Sequence, residues 1–150
     1  MRFGRLALPV INDPDTYKFE LGKGVELKSG KDITIIATGL CVSESLKAAE
    51  MLKEAGVDAQ VINIHTIKPI DEDIIINAAK KTGRIFTVEE HSIIGGLGSA
   101  VMEVLSEKYP TKVTRIGVND TYGCSGPAKE LLHVFGLDAE GIAARIKENL

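Results

Sequence analysis

The sequence predicts an α/β domain with a mostly parallel sheet, on three observations. Short runs rich in β-branched residues alternate with amphipathic stretches from Asp32 to the C terminus. The runs lack a strict apolar–polar alternation, as in Ile33-Thr34-Ile35-Ile36-Ala37 and Ala59-Gln60-Val61-Ile62-Asn63-Ile64. Strands covered on both faces read this way, and such strands belong to parallel sheets. The stretches between them are long enough for crossover helices, so the units are βαβ with right-handed connections.

The elements follow in order. Residues 1–24 carry Pro9, Asp13, Pro14, Asp15 and Gly22 with no clear period, and read as an N-terminal arm or linker. Residues 25–150 read as the domain. Its strands are expected at Val25–Lys28, Asp32–Thr38, Ala59–His65, Arg84–Glu89 and Lys112–Val118. Helices are expected at Val42–Ala55, Asp71–Lys81, Gly98–Lys108, Pro127–Phe135 and Asp138–Leu150. Helical spacing puts Leu46, Ala49 and Leu52 on one face, then Ile75, Ala78 and Ala79, then Ala139, Ile142, Ala143 and Ile146. Gly56, Gly83 and Gly136 stand where helices end, a position that favours a left-handed residue. Asp71, Glu72 and Asp73 open the second helix, where acids meet the positive end of the dipole. Pro127 suits a first turn.

Composition narrows the function. A chain of 150 residues with 44% hydrophobic and 26% charged residues is one globular domain with its own core. A net charge of −3 and a pI near 5.6 argue against a nucleic-acid partner, which favours basic patches. No apolar run approaches the ~20 residues of a membrane span, and the start lacks the apolar core of a signal peptide. Cytoplasm is the default. Cys41 and Cys124 form neither a CxxC pair nor a disulfide framework, and both read as non-catalytic.

The chemistry-bearing residues gather after the fourth strand, in Thr87-Val88-Glu89-Glu90-His91-Ser92-Ile93-Ile94-Gly95-Gly96-Leu97-Gly98-Ser99. This is the carboxyl end of a strand, where open α/β sheets place ligands and partner contacts. His91 suits a general base by its ordinary pKa; a hydrogen-bonded interface histidine is the plainer reading. Glu90, its neighbour on an extended strand, is not made its orienting partner by adjacency alone, because neighbouring strand residues point to opposite faces. The Gly95-Gly96-Leu97-Gly98 turn has the wrong spacing for a dinucleotide fingerprint. Its backbone N–H groups suit an anion, and a tight turn with close helix–sheet packing is the plainer use. His65 ends the third strand at the same rim, so it is expected near the same crevice. Two histidines without a third ligand make no metal site. His133 reads as structural. Adjacent Glu89 and Glu90 do not converge as a catalytic carboxylate pair.

The chain resembles the C-terminal domain of transketolase, of the split or shortened bacterial and archaeal kind. The resemblance runs from end to end. It rests on Gly4-Arg5-x-x-x-Pro9, Gly30-Lys31-Asp32-Ile33-Thr34-Ile35-Ile36-Ala37-Thr38-Gly39 and Val61-Ile62-Asn63-Ile64-His65-Thr66-Ile67-Lys68-Pro69-Ile70-Asp71. It continues through Thr87 to Ala100 and ends in Ser125-Gly126 with Glu130-Leu131-Leu132. The same domain type occurs in 1-deoxyxylulose-5-phosphate synthase and in 2-oxoacid dehydrogenase beta subunits; the His-x-x-x-Gly-Gly-Leu-Gly string favours the transketolase branch.

The resemblance implies three α/β/α layers around a five-stranded mixed sheet, with one edge strand antiparallel. The short first strand is the natural candidate for that edge. It implies an enzyme that moves a two-carbon ketol unit between sugar phosphates, as in the pentose phosphate pathway, and that works as a homodimer. Thiamine diphosphate and magnesium are expected on two other modules, a diphosphate-binding and a pyrimidine-binding one, and not on this chain. The Gly-Asp-Gly metal string of the first is absent here, so the chain reads as the third module alone, not catalytically competent by itself. No catalytic residue is expected on it. Arg5 matches an arginine that binds the sugar phosphate in that family, a task that suits a guanidinium. His65, Glu90, His91, Gly95, Gly96 and Gly98 remain the candidate interface or anion rim. The alternatives are a free-standing flavodoxin-like module holding a small anion at that rim, or the corresponding domain of one of the two related enzymes.

Overall fold

A computed structural model describes residues 7–150. Residues 7–24 form turns but no helix or strand. The elements that follow are β1 (Val25–Lys28), β2 (Ile33–Ala37), α1 (Cys41–Glu54), β3 (Ala59–Asn63), α2 (Glu72–Thr82), β4 (Ile85–Ser92), α3 (Leu97–Lys108), β5 (Val113–Val118), α4 (Ala128–Val134) and α5 (Ala139–Glu148). The strands make one sheet in the order β1-β3-β2-β4-β5. β3, β2, β4 and β5 run parallel, and β1 lies antiparallel against β3 at the edge. The expected mixed sheet with one reversed edge strand is therefore the one present.

Every residue of β2 and β3 is buried, because helices cover both faces of the sheet. On one face Ile33, Ile35, Val61, Phe86 and Val88 pack with α1 and α5, joined by Leu132 of α4. On the other, Ile36, Ile62 and Ile85 pack with Ile75, Ala78 and Ala79 of α2 and with Leu97, Val101 and Leu105 of α3. Among the buried polar residues of the strands, Asn63 Oδ1 and Thr87 Oγ1 have no hydrogen-bond partner among the described residues, whereas Thr34 and Gln60 are satisfied in a chain. Thr34 Oγ1 donates to Gln60 Oε1 at 2.7 Å and lies 2.9 Å from Thr82 Oγ1, and Gln60 Nε2 donates to Glu26 of the edge strand. A buried polar group without such partners would cost more than the bond itself gains.

Helix ends obey the expected chemistry. Asp71 caps α2, its Oδ1 accepting from Ile74 N at 3.3 Å, and Gly83 closes that helix at φ +66°. Most boundaries lie within one residue of the sequence reading; α5 ends at Glu148, two residues before Leu150, and two strand ends also differ by more than one. β3 stops at Asn63, two residues early, because His65 turns to its own neighbour Thr66. β4 runs on to Ser92 instead of stopping at Glu89, because the strand bulges and then pairs with β5 again.

His133 is exposed, and its role is local. Its Nδ1 lies 2.6 Å from Asp138 Oδ2, while Asp138 Oδ1 caps α5 by accepting from Gly141 N at 2.9 Å. The hydrogen bond to Asp138, and then its charge, raise the His133 pKa above the ordinary 6.5. Partial burial pushes the Asp138 carboxyl up, but the His133 bond and the Gly141 N–H outweigh it and hold the carboxyl below its ordinary 3.8. A raised histidine stabilises fully below its unfolded pKa and loses that contribution as pH rises through the folded value; a lowered carboxylate loses its contribution as pH falls. The pair therefore ties α4 to α5 best between the two ordinary values. An NMR titration of the His133 ring should give a midpoint above 6.5, and Asp138→Asn should return it to the ordinary range. An unchanged midpoint in that variant would mean that the pair does not form in solution.

Candidate functional site at the carboxyl rim of β4

The rim is shaped by the bulge. Val88 pairs with Ile116 and Ser92 with Val118, so four steps along β4 match two along β5. The two adjacent acids at the start of the bulge point to opposite faces, as neighbours on a strand do. Glu89 turns inward and is 2% exposed, whereas Glu90 and His91 face outward. Glu89 Oε2 accepts from Leu97 N at 2.7 Å and Oε1 from Gly98 N at 2.8 Å. These are the first N–H groups of α3, which no earlier turn of the helix can bond. A carboxylate placed there is also favoured by the helix dipole.

The glycines serve that contact. A Cβ on Gly96 would stand 2.0 Å from Glu89 Oε2 and 3.0 Å from His91 Nδ1. One on Gly98 would stand 2.8 Å from both Thr87 Oγ1 and Arg115 Cγ. Gly95 takes φ +74°, a conformation that glycine reaches without strain. The loop is fastened further by Gly95 N donating to Ser99 Oγ at 2.9 Å, Ile94 N to Ser92 Oγ at 3.2 Å and Arg115 Nη1 to Ile93 O at 2.8 Å. The N–H groups of Leu97 and Gly98 are thus spent on an internal carboxylate, and the rim does not offer them to an external anion. The flavodoxin-like reading loses its ligand site for this reason.

His91 Nδ1 lies 2.8 Å from Ser92 O and 4.0 Å from Glu89 Oε2. The inward carboxylate of Glu89 is thus at the edge of ion-pair distance from the His91 ring. His65 sits apart. β2 lies between β3 and β4, which puts two strand spacings, about 10 Å, between their ends. The His65 ring stacks on Phe19 with centroids 4.8 Å apart, and its Nδ1 lies 2.8 Å from Thr66 Oγ1. The two histidines have separate partners and do not form one constellation.

Cys41 at the start of α1 is buried. Burial, then the charges of Glu90, Glu89 and Glu44, push its thiol up to about 12, so the helix dipole does not make it a nucleophile. Among the described residues no group of three or more His, Cys, Asp or Glu could hold a metal ion, and no helix is long and apolar enough to cross a membrane. Arg5 and Gly4 lie outside the described residues. Sequence reasoning missed the inward role of Glu89. The signal was there: an acid at a strand end, seven residues before the first glycine-led turn of a helix.

Comparison with known proteins decides the family. Residues 22–142 match the family model described as "Transketolase, C-terminal domain". The chain belongs to the transketolase C-terminal domain family. A Methanocaldococcus jannaschii protein named "Putative transketolase C-terminal section" is 54% identical over 133 residues, covering 88% of this chain and 41% of that protein. A 6-deoxy-6-sulfo-D-fructose transketolase subunit of Clostridium sp. is 45% identical, covering 91% of this chain and 42% of that protein. A solved structure described as "Split gene transketolase, inactive beta4 tetramer" superposes with a TM-score of 0.91 at 46% identity, over 97% of this chain and 47% of that one. The chain spans less than half the length of these relatives. What it shares with them is the transketolase C-terminal domain.

Proposed function

We propose that this chain is the structural and interface module of a thiamine-diphosphate-dependent transketolase, which transfers a two-carbon ketol unit between sugar phosphates in the cytoplasm. The observation that carries the reading is Glu89: the rim where an open α/β sheet takes a ligand is filled by the protein's own carboxylate. Such a domain contributes surfaces, and the cofactor chemistry belongs to the pyrimidine-binding and diphosphate-binding modules. Exposed apolar residues support that division. Ile94 on the β4–α3 loop, Ile67 on the β3–α2 loop and Val10, Phe19 and Leu21 on the arm are all exposed, which leaves apolar side chains available to partner surfaces. The partners would be those two modules, in a homodimeric enzyme. Arg5 would reach the sugar phosphate from the arm.

The test is reconstitution. Titrated calorimetrically with thiamine diphosphate and magnesium, the chain alone should give no heat. Combined with polypeptides carrying the other two modules, it should form a complex with ketol-transfer activity that neither part shows alone. Micromolar cofactor binding by the isolated chain would overturn the reading, as would full activity without it.

A further inference from the structure

The arm has no regular structure, yet it does not hang free of the domain. Ile11 packs against the core on the α1 and α5 side. Further on, four contacts fasten the arm to the loop between β3 and α2. The Phe19 ring lies on His65, 4.8 Å between centroids at an interplanar angle of 38°. A Cβ on Gly22 would come 3.2 Å from Pro69 Cγ. Gly24 N donates to Asp71 Oδ2 at 2.9 Å, and Lys23 Nζ lies 3.9 Å from Asp71 Oδ1.

Asp71 holds the key position. It is 7% exposed, and its two oxygens do different work: Oδ1 caps α2 and Oδ2 takes the arm. Close packing keeps the arm at that spot, since a Cβ on Gly24 would stand 2.6 Å from Ile64 Cδ1 and 3.0 Å from Ile74 Cγ2. His65 is fixed in turn by Thr66 on one side of its ring, with its Nε2 buried and unpaired among the described residues. Its ring is therefore a fixed platform for Phe19, itself mostly exposed.

We propose that the β3–α2 loop anchors the arm: His65 and Asp71 are positioning residues that fix the course of residues 17–24, and through it they support the substrate-binding role proposed for Arg5. The second half rests on the reading of Arg5 given above. Neither residue touches substrate. Each acts by holding backbone that would otherwise sample many paths.

Two substitutions separate anchoring from folding. Serine caps a helix as well as aspartate does, but its single short hydroxyl cannot serve both Ile74 N and Gly24 N. Asp71→Ser therefore keeps α2 and releases the arm. Phe19→Ala removes the ring from His65 at an exposed site. In the 150-residue chain, both should speed amide exchange over residues 19–24 and tryptic cleavage after Lys18 and Lys23 by about tenfold, as expected for local opening. Thermal unfolding of the domain should move by only a few degrees. His65→Ala should loosen the same stretch. In the reconstituted enzyme, Asp71→Ser should raise KM for phosphorylated sugars severalfold and leave kcat close to that of the parent, a split that general destabilisation does not produce. Unchanged exchange and cleavage in Asp71→Ser and Phe19→Ala would overturn the anchor. A loosened arm with unchanged KM, in an enzyme where Arg5→Ala does raise KM, would overturn the support of Arg5 by the anchor. A loosened arm in an enzyme indifferent to Arg5→Ala would instead count against the reading of Arg5 and leave the anchor standing.

Discussion

Glu89→Ala is expected to be the most damaging single change at the rim. It leaves Leu97 N and Gly98 N, both buried, without their acceptor. An unsatisfied buried donor costs about 1–3 kcal/mol, so the pair should cost about 2–5 kcal/mol. For a domain of this size that is roughly 5–15 °C in Tm. Glu89→Gln should fall between, since one oxygen still accepts while the new amide N–H faces a donor. The glycine opposite gives an independent check. Gly96 has φ −107°, so alanine is not excluded by backbone strain; the obstacle is Glu89 Oε2, 2.0 Å from the new Cβ. Gly96→Ala should therefore be costly in the parent and much cheaper after Glu89→Ala, with a coupling of about 1–3 kcal/mol in a double-mutant cycle. Additive effects would show that the carboxylate does not sit under the turn. The measurement is denaturant or thermal unfolding of the four proteins.

Arg5→Ala should show the largest effect on activity. In the reconstituted enzyme it should lower kcat/KM for phosphorylated sugars and leave non-phosphorylated substrates nearly unaffected. A charge-assisted contact to a phosphate is worth about 1.5–3 kcal/mol, or about ten- to a hundredfold in kcat/KM. The motive is the Gly4-Arg5-x-x-x-Pro9 string and the match between a guanidinium fork and phosphate oxygens. Equal losses on both substrate classes would make Arg5 structural. No loss on either would mean that the arginine has no part in substrate binding.

Much of the fold was legible because local chemistry and global packing agree. Ile33 to Ala37 could only be a strand covered on both faces, and it is buried throughout. Asp71, Asp138 and Gly83 mark helix ends by their own bonds and dihedrals. The order of the strands was not legible from periodicity, which says nothing about which strand lies beside which; the family resemblance carried a five-stranded mixed sheet with one antiparallel edge strand, and the structure supplies the order. The rim was half legible. Its residues were found, and alternation puts Glu89 and Glu90 on opposite faces, but only the structure shows that Glu89 is the one turned in under α3. The stacking of Phe19 on His65 was hidden for another reason. The arm has no period to read, and a contact across 46 positions leaves no local trace.

The buried Glu89 also sets the terms on which this domain meets the metabolites around it. A side chain tethered beside α3 competes with dissolved anions at an effective concentration of the order of millimolar or above, and it is already seated and desolvated. Free phosphate, sulfate or a nucleotide must displace it before reaching the N–H groups of Leu97 and Gly98. The domain thereby carries its own competitive inhibitor for the binding place that its architecture would otherwise leave open. Changes in the cell's pool of phosphorylated compounds should leave this rim indifferent.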